Sequence, residues 1–288
     1  MRRLIINADD FGLTSGINRS IIEAHLAGSL TSATLMAGAP AFAEATHLAL
    51  DHSRLAVGCH VVLVDGEPLL DPARLPSLVP QRTMQFRRRI GQLAARVVTS
   101  RIDPDEVEVE AITQFRKVQA TGLTITHFDT HKHAHVFPAI LGPLLRAART
   151  CGVRALRNPF EPTRPLPASL LRRRRDLWKR YAQARTLRRL QPAFRKLVAK
   201  SGLKTPDGTL GIIVTGVLDQ EVLTAMLKNM PEGTWELVCH PGYLDNDLRA
   251  VRTRLLESRE LERRLLTSPD TQRLLEQAQI ELISYKDL

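Results

Sequence analysis

Leu4-Ile5-Ile6-Asn7-Ala8-Asp9-Asp10-Phe11-Gly12 begins as an uninterrupted apolar run and ends in two adjacent carboxylates before a glycine. A continuous apolar run, without alternation, is the pattern of a strand buried on both faces, and such strands belong to parallel sheets covered by helices. Runs of the same kind recur at Ala33–Met36, Leu55–Gly58, Leu123–His127, Val153–Leu156, Gly211–Val214, Trp235–Cys239 and Ile280–Ile283. Between them, apolar residues three and four apart predict helices over Ile17–Ala27, Glu44–Asp51, Asp105–Thr121, Ile140–Cys151, Asp219–Met230 and Leu255–Leu266. Strands alternating with helices imply a parallel sheet, and the number of units in one chain favours an α/β fold of the distorted (β/α) TIM-like barrel type. Residues 66–104, with Pro68, Pro72, Pro76 and Pro80, and residues 158–209, with Pro159, Pro162, Pro165 and Pro167, interrupt the alternation. They are expected to be helical insertions, lids or dimer arms, on a single domain spanning 1–288. The sequence contains no internal repeat.

In a parallel barrel the carboxyl ends of the strands converge on one rim, so side chains distant in sequence meet there. Asp9-Asp10, His60, the run His127-Phe128-Asp129-Thr130-His131-Lys132-His133-Ala134-His135 and His240 each follow a predicted strand. Four of the chain's 9 histidines fall in that one window, although His is an indifferent former of helix and strand. Carboxylates and imidazoles from four strand ends make a divalent metal centre with acid/base groups beside it. A catalytic metal keeps three protein ligands and one open position, which Asp10, His60 and His131 supply as one oxygen and two nitrogens. Of the adjacent carboxylates Asp9 and Asp10, one binds metal and the other takes a proton from water, provided the turn into Phe11-Gly12 brings both to the rim. His240, in Cys239-His240-Pro241-Gly242, is placed to protonate a departing amine. Taken singly, paired aspartates are often turns or helix caps, and His60 or His240 alone reads as a hydrogen-bonded core histidine. The specific signal is His131-x-His133-x-His135, because alternate residues of an extended segment share a face. His25, His47 and His52 have no such context and are expected to be structural.

The net charge of +11 is local. It concentrates between Arg172 and Lys200, interleaved with Leu171, Leu177, Trp178, Tyr181, Leu187, Leu190, Phe194 and Leu197 at helical spacing, with Arg87-Arg88-Arg89 as a second focus. Basic amphipathic helices of this kind either present a solvated face or meet anionic lipid or phosphate. No nucleic-acid-binding module accompanies the charge, so nucleic acid is not an expected partner. Cys59, Cys151 and Cys239 are odd in number and lack CxxC spacing, which argues against a disulfide framework and a thiolate zinc site. Met1-Arg2-Arg3 leads straight into the first strand-like run, no apolar run reaches membrane-spanning length, and a cytoplasmic protein is expected.

These segments, together with Gly16-Ile17-Asn18, Thr31-Ser32-Ala33-Thr34-Leu35-Met36, Val57-Gly58-Cys59-His60-Val61-Val62-Leu63 and Val238-Cys239-His240-Pro241, resemble the YdjC-like carbohydrate deacetylases over nearly the whole chain. That family includes diacetylchitooligosaccharide deacetylases and hopanoid-biosynthesis-associated deacetylases. The resemblance implies removal of an N-acetyl group from an amino sugar, with Asp10, His60 and His131 as ligands, Asp9 as base and His240 as acid. It further implies that Arg157 orients the base, that Asp129 supports a ligand, that His133 and His135 line the site, and that the protein is a homodimer. Lys132 replaces the middle residue of the family's more usual three consecutive histidines. With Val64-Asp65-Gly66-Glu67-Pro68-Leu69-Leu70, it looks more like the hopanoid-associated branch, which implies a lipid-linked N-acetylglucosamine and gives the basic segment 170–200 a membrane surface to meet. Two imidazoles favour zinc on affinity grounds, whereas family descriptions give magnesium. The alternatives are another metal-dependent hydrolase on the same rim, a phosphodiesterase or amidohydrolase, and a non-catalytic sugar- or lipid-binding homologue.

Overall fold

The computed structural model describes residues 1–164, 166–174 and 176–288; Pro165 of the proline-rich segment and Arg175 of the basic run lie outside the described residues. Among the described residues seven strands form one sheet: β1 (Arg2–Phe11), β2 (Ser32–Leu35), β3 (Ala56–Val61), β4 (Phe128–Thr130), β5 (Gly208–Leu210), β6 (Gly233–Cys239) and β7 (Ile280–Leu282). Every pairing is parallel and the order is β4-β3-β2-β1-β6-β5, with β7 against the first residues of β1. Beyond β4 the sheet continues by single bridges, Phe128 to Leu156 and Ala155 to Lys204, and the chain then runs from Lys204 into β5. The parallel sheet therefore curls until its two ends are linked through these short extended pieces.

Helices cover the outer face, each placed by local signals. Ser15–Leu26 starts after Thr14, whose hydroxyl accepts from the Ile17 amide. Pro104–Gln119 has Asp103 as its cap and proline in the first turn. Gln220–Lys228 is capped by Asp219. Phe42–Asp51, Pro138–Thr150 and Glu257–Thr267 match the other apolar stripes.

Three expected strands differ. Leu123–His127 is not a strand, and the pairing starts one residue later at Phe128. Val153–Leu156 shrinks to the two single bridges. Gly211–Val214 is a turn: Gly211 takes φ +103°, and the Ile213 amide donates to the Glu161 carboxylate instead of to a neighbouring strand. Short apolar runs satisfy a buried turn as readily as a buried strand.

The decisive feature is the inner face of the sheet. Leu4, Ile6 and Ala8 point outward into the main core, whereas Ile5 packs with Ala56, Ala155, Ile283 and Tyr285 in a small separate cluster. Above that cluster the inner face turns polar, with Asn7, Asp9, Thr34, His60, His127, Asp129, Arg157, Thr209 and Glu236 all buried. Gly58 makes room for this layer, since a Cβ there would lie 2.6–2.7 Å from the His127 ring. His127 is stacked on Tyr285 at 3.6 Å between centroids and hydrogen-bonds Asn7 Oδ1 at 3.0 Å, so it serves the interior.

Segment 66–104 carries little regular structure beyond the helix Ile90–Val98. It is pinned to Pro104–Gln119 by Glu106, which accepts from the amides of Ser77 and Leu78, and by Glu110, which accepts from Leu69 and Leu70. Helices Ala168–Arg173, Asp176–Leu187 and Gln191–Ser201 fill most of 158–209, and the chain returns to the sheet at Lys204.

Candidate metal centre

Asp9 and Asp10 are neighbours on one strand, yet both reach the site. Asp10 adopts φ +65°, a left-handed conformation that Asp tolerates better than most residues. The β1–β2 register slips between Ala8 and Phe11 at the same place. The turn is closed by the Leu13 amide donating to the Asp10 carbonyl and by the Gly12 amide donating to Asn18 Oδ1. A strand that stayed extended would send the two carboxylates to opposite faces.

Asp10 Oδ1 lies 3.6 Å from His60 Nε2 and 3.5 Å from His131 Nδ1, and those two nitrogens are 3.2 Å apart. Asp10 and His60 are buried, while the His131 side chain is 21% exposed, so the triangle opens to solvent at that corner. Asp10 Oδ1 is buried without a hydrogen-bond partner among the described residues. Donors held at about 2.1 Å by a small divalent ion lie roughly 3.0–3.4 Å apart, close to these edges. Behind the triangle, His60 Nδ1 contacts Asp129 Oδ1 at 2.7 Å. A carboxylate on the far ring nitrogen leaves Nε2 with its lone pair toward a cation. Without a cation, burial pushes His60 down, but Asp129 and Asp9 outweigh it and raise the imidazole to about 9. The protonated His60 ring then carries its positive charge beside the Asp10 oxygen.

A second group, Asp9, His60 and Asp129, also brings three donor atoms together. Its carboxylates are already engaged by an arginine. Arg157 donates to Asp9 Oδ2 at 2.9 Å and Oδ1 at 2.6 Å, pairs with Asp129, and donates from Nε and Nη2 to Glu236 Oε1 at 2.9 and 2.7 Å. Glu236 Oε2 accepts in turn from Tyr285 at 2.7 Å and Thr209 at 3.2 Å. One buried guanidinium thus occupies the centre of three carboxylates. Burial would raise Asp9, but Arg157 foremost, then His60, hold its carboxyl far below the usual range, so it stays ionised. Burial raises Glu236, with Arg157 opposing.

His240 Nε2 lies 3.8 Å from Asp9 Oδ2. Burial lowers its imidazole to about 4, against the pull of Asp9 and Asp10, so the resting ring is neutral. A neutral imidazole accepts a proton before it gives one.

His131, His133 and His135 do not share an extended face. Lys132 and His133 take φ 56° and 54° in a tight turn over His131–Val136, which sends the three rings apart. His135 Nδ1 meets the Thr130 hydroxyl at 2.7 Å, and His133 is lowered to about 3 by burial, then by Arg157. His135 is buried and His133 half-buried, and both lie outside the triangle. His25, His47 and His52 lie away from it as well; the His25 ring contacts the Leu30 carbonyl and the His52 ring the Leu48 carbonyl.

Three site residues escaped the sequence reading. Glu236 sits two and four positions before Val238 and His240, and that period-two spacing could have marked it as inward-facing. Arg259 and Glu262, on Glu257–Thr267, are each 1% exposed. Arg259 pairs with Asp10, and Glu262 accepts from the His240 amide. Charged residues on an amphipathic helix ordinarily read as solvated, and nothing in their spacing says otherwise.

The YdjC-like protein family model matches residues 3–277. The chain belongs to the YdjC-like family. Among its YdjC-like relatives, the carbohydrate deacetylase of Geobacillus stearothermophilus is 31% identical over 287 residues, covering 99% of this chain and 98% of the relative. The carbohydrate deacetylase of Thermoanaerobacter pseudethanolicus is 28% identical over the full length of both. A crystal structure from Enterococcus faecalis V583, described as a cellobiose-phosphate cleavage protein, superimposes with a TM-score of 0.77 at 26% identity over 99% of this YdjC-like chain and 98% of that one.

Proposed function

We propose that this YdjC-like chain is a metal-dependent hydrolase that removes the N-acetyl group from an N-acetylated amino sugar, giving acetate and a free amine. The observation that carries the reading is the open Asp10–His60–His131 triangle, with its unpartnered carboxylate oxygen, beside the ionised Asp9 and neutral His240. Full-length relatives named carbohydrate deacetylases supply the substrate class. Asp10, His60 and His131 would hold the cation, and zinc suits two imidazoles better than magnesium does. When bound, a divalent ion supplies Lewis acidity toward the acetamide carbonyl and the charge that forms on its oxygen.

The protein's own groups handle the protons. Asp9, clamped on both oxygens by Arg157, takes a proton from the attacking water as the oxygen adds to the acetyl carbon. His240, within 3.8 Å of Asp9, receives that proton and passes it to the nitrogen as the C–N bond breaks. Asp129 holds the His60 ring, Arg157 holds Asp9, and His133 and His135 line the site beside the triangle.

The same reading takes the curled sheet as a distorted (β/α) barrel of one domain, with 66–104 and 158–209 as insertions beside the rim. No helix among the described residues is long and apolar enough to cross a membrane. The basic stretch does expose Trp178 at 48% and Leu187 at 41% beside exposed arginines and lysines, as a helix resting on an anionic membrane would. A lipid-linked N-acetylglucosamine, a cytoplasmic site at the inner membrane face and a homodimer complete the proposal. Incubation of zinc- and magnesium-loaded enzyme with N-acetylated oligosaccharides and glycolipids is expected to release acetate and remove one acetyl mass. Intact substrates across the panel would refute the activity.

A further inference from the structure

We infer that the helix Glu257–Thr267 is the positioning arm of this centre, with Arg259 orienting Asp10 and Glu262 orienting His240; this deepens the deacetylase reading and rests on it. Arg259 engages Asp10 Oδ2 through Nη2, which leaves Oδ1 as the oxygen facing His60 and His131. Its Nε donates to the Leu255 carbonyl at 3.2 Å, fixing the guanidinium against the segment that leads into its helix. Three residues on, and so on the same helix face, Glu262 accepts from the His240 amide. The Gly242 amide then donates to the Arg259 carbonyl at 3.1 Å. Gly242 lets the turn lie this close, because a Cβ there would meet Arg259 side-chain carbons at 3.2–3.3 Å. One face of one helix therefore holds both the strand-end carboxylate and the His240-Pro241-Gly242 turn.

A purely structural role fits poorly. A buried ion pair adds little that well-packed apolar residues could not supply, and here Arg259 Nη1 and Asp10 Oδ1 are both buried without hydrogen-bond partners among the described residues. Keeping these groups buried has a cost, and the orientation of Asp10 is what the cost secures. Arg259 touches neither the triangle's nitrogens nor Asp9 and is a positioning residue.

The test uses the full chain, stripped with chelator and titrated calorimetrically with zinc alone, together with kcat and KM for acetate release. Arg259→Met and Arg259→Lys are expected to bind zinc about 10- to 100-fold more weakly, with kcat falling by a similar factor and KM moving less than about threefold. Arg264→Met, which removes an exposed arginine from the same helix, is expected to match the unsubstituted chain. Unchanged zinc affinity in both Arg259 variants would overturn the inference. Tighter binding in Arg259→Met would overturn it too, by showing that the guanidinium merely competes with the cation. If Arg259→Met does not fold, Arg259→Lys, which keeps the buried charge but not the fork, decides alone. Failure of the unsubstituted chain to bind zinc is a different result and would sink the metal reading itself.

Discussion

His60 stands between two clusters built from the same kinds of residue. On its Nδ1 side, Asp9, Asp129 and Glu236 gather round Arg157, buried and with every carboxylate oxygen engaged. On its Nε2 side, Asp10 and His131 leave a buried oxygen without a partner and one corner open to solvent. Proximity of ligand-type side chains and a buried arginine are common to both, and what separates them is how far the arginine engages the carboxylates: Arg157 reaches all three in the first, whereas Arg259 engages only Oδ2 of Asp10 in the second. The Arg157 guanidinium makes the first cluster a scaffold, and the Asp10 oxygen that faces two imidazole nitrogens without a hydrogen-bond partner among the described residues suits the second to an exchangeable ion. Because the scaffold includes Asp9 and the carboxylate behind His60, it also fixes the groups proposed to react and to bind the ion.

The largest effect should come from breaking the scaffold. Arg157→Met leaves three carboxylates buried without their counter-charge, and removal of one partner of a buried ion network costs about 3–5 kcal/mol. Urea unfolding should show this loss with or without metal; a loss under about 1 kcal/mol would mean the cluster is not the structural half. Next, Asp9→Asn keeps the size and one acceptor of the side chain but not its basicity. It is expected to lower kcat by about 10²- to 10⁴-fold while zinc content stays that of the unsubstituted chain. Normal turnover would remove Asp9 from the chemistry, and lost zinc would move it into the ligand set.

The smallest effect sharpens the role of His60. Its folded, metal-free pKa is raised from 6.5 to about 9, so its contribution to the stability of the metal-free chain is fully present below about pH 6.5. That contribution is lost as pH rises through about 9. Zinc needs the neutral imidazole, so its affinity should rise about tenfold per pH unit from pH 7 and level off near pH 9. Affinity that is flat across this window would show that no proton on His60 is displaced.

Much of the site was legible because strand ends in a parallel sheet share a rim. Asp10, His60 and His131 could be grouped without coordinates, and the strand that carries Asp9 and Asp10 announced itself by burying both faces. Failures arose where backbone conformation overrode spacing. The three alternate histidines do not share a face, because two consecutive left-handed residues replace the extended backbone that the argument needs. The apolar run Gly211–Val214 looks like a strand but bends round the carboxylate of Glu161. Arg259 and Glu262 were invisible as site residues because charge in a sequence implies solvent unless the tertiary partner is known.

The most direct measurement is anomalous diffraction at the zinc edge from crystals soaked in zinc. The account predicts one strong peak within about 2.3 Å of Asp10 Oδ1, His60 Nε2 and His131 Nδ1, and its disappearance in Asp10→Ala. A peak among Asp9, His60 Nδ1 and Asp129, or none near either cluster, would contradict it.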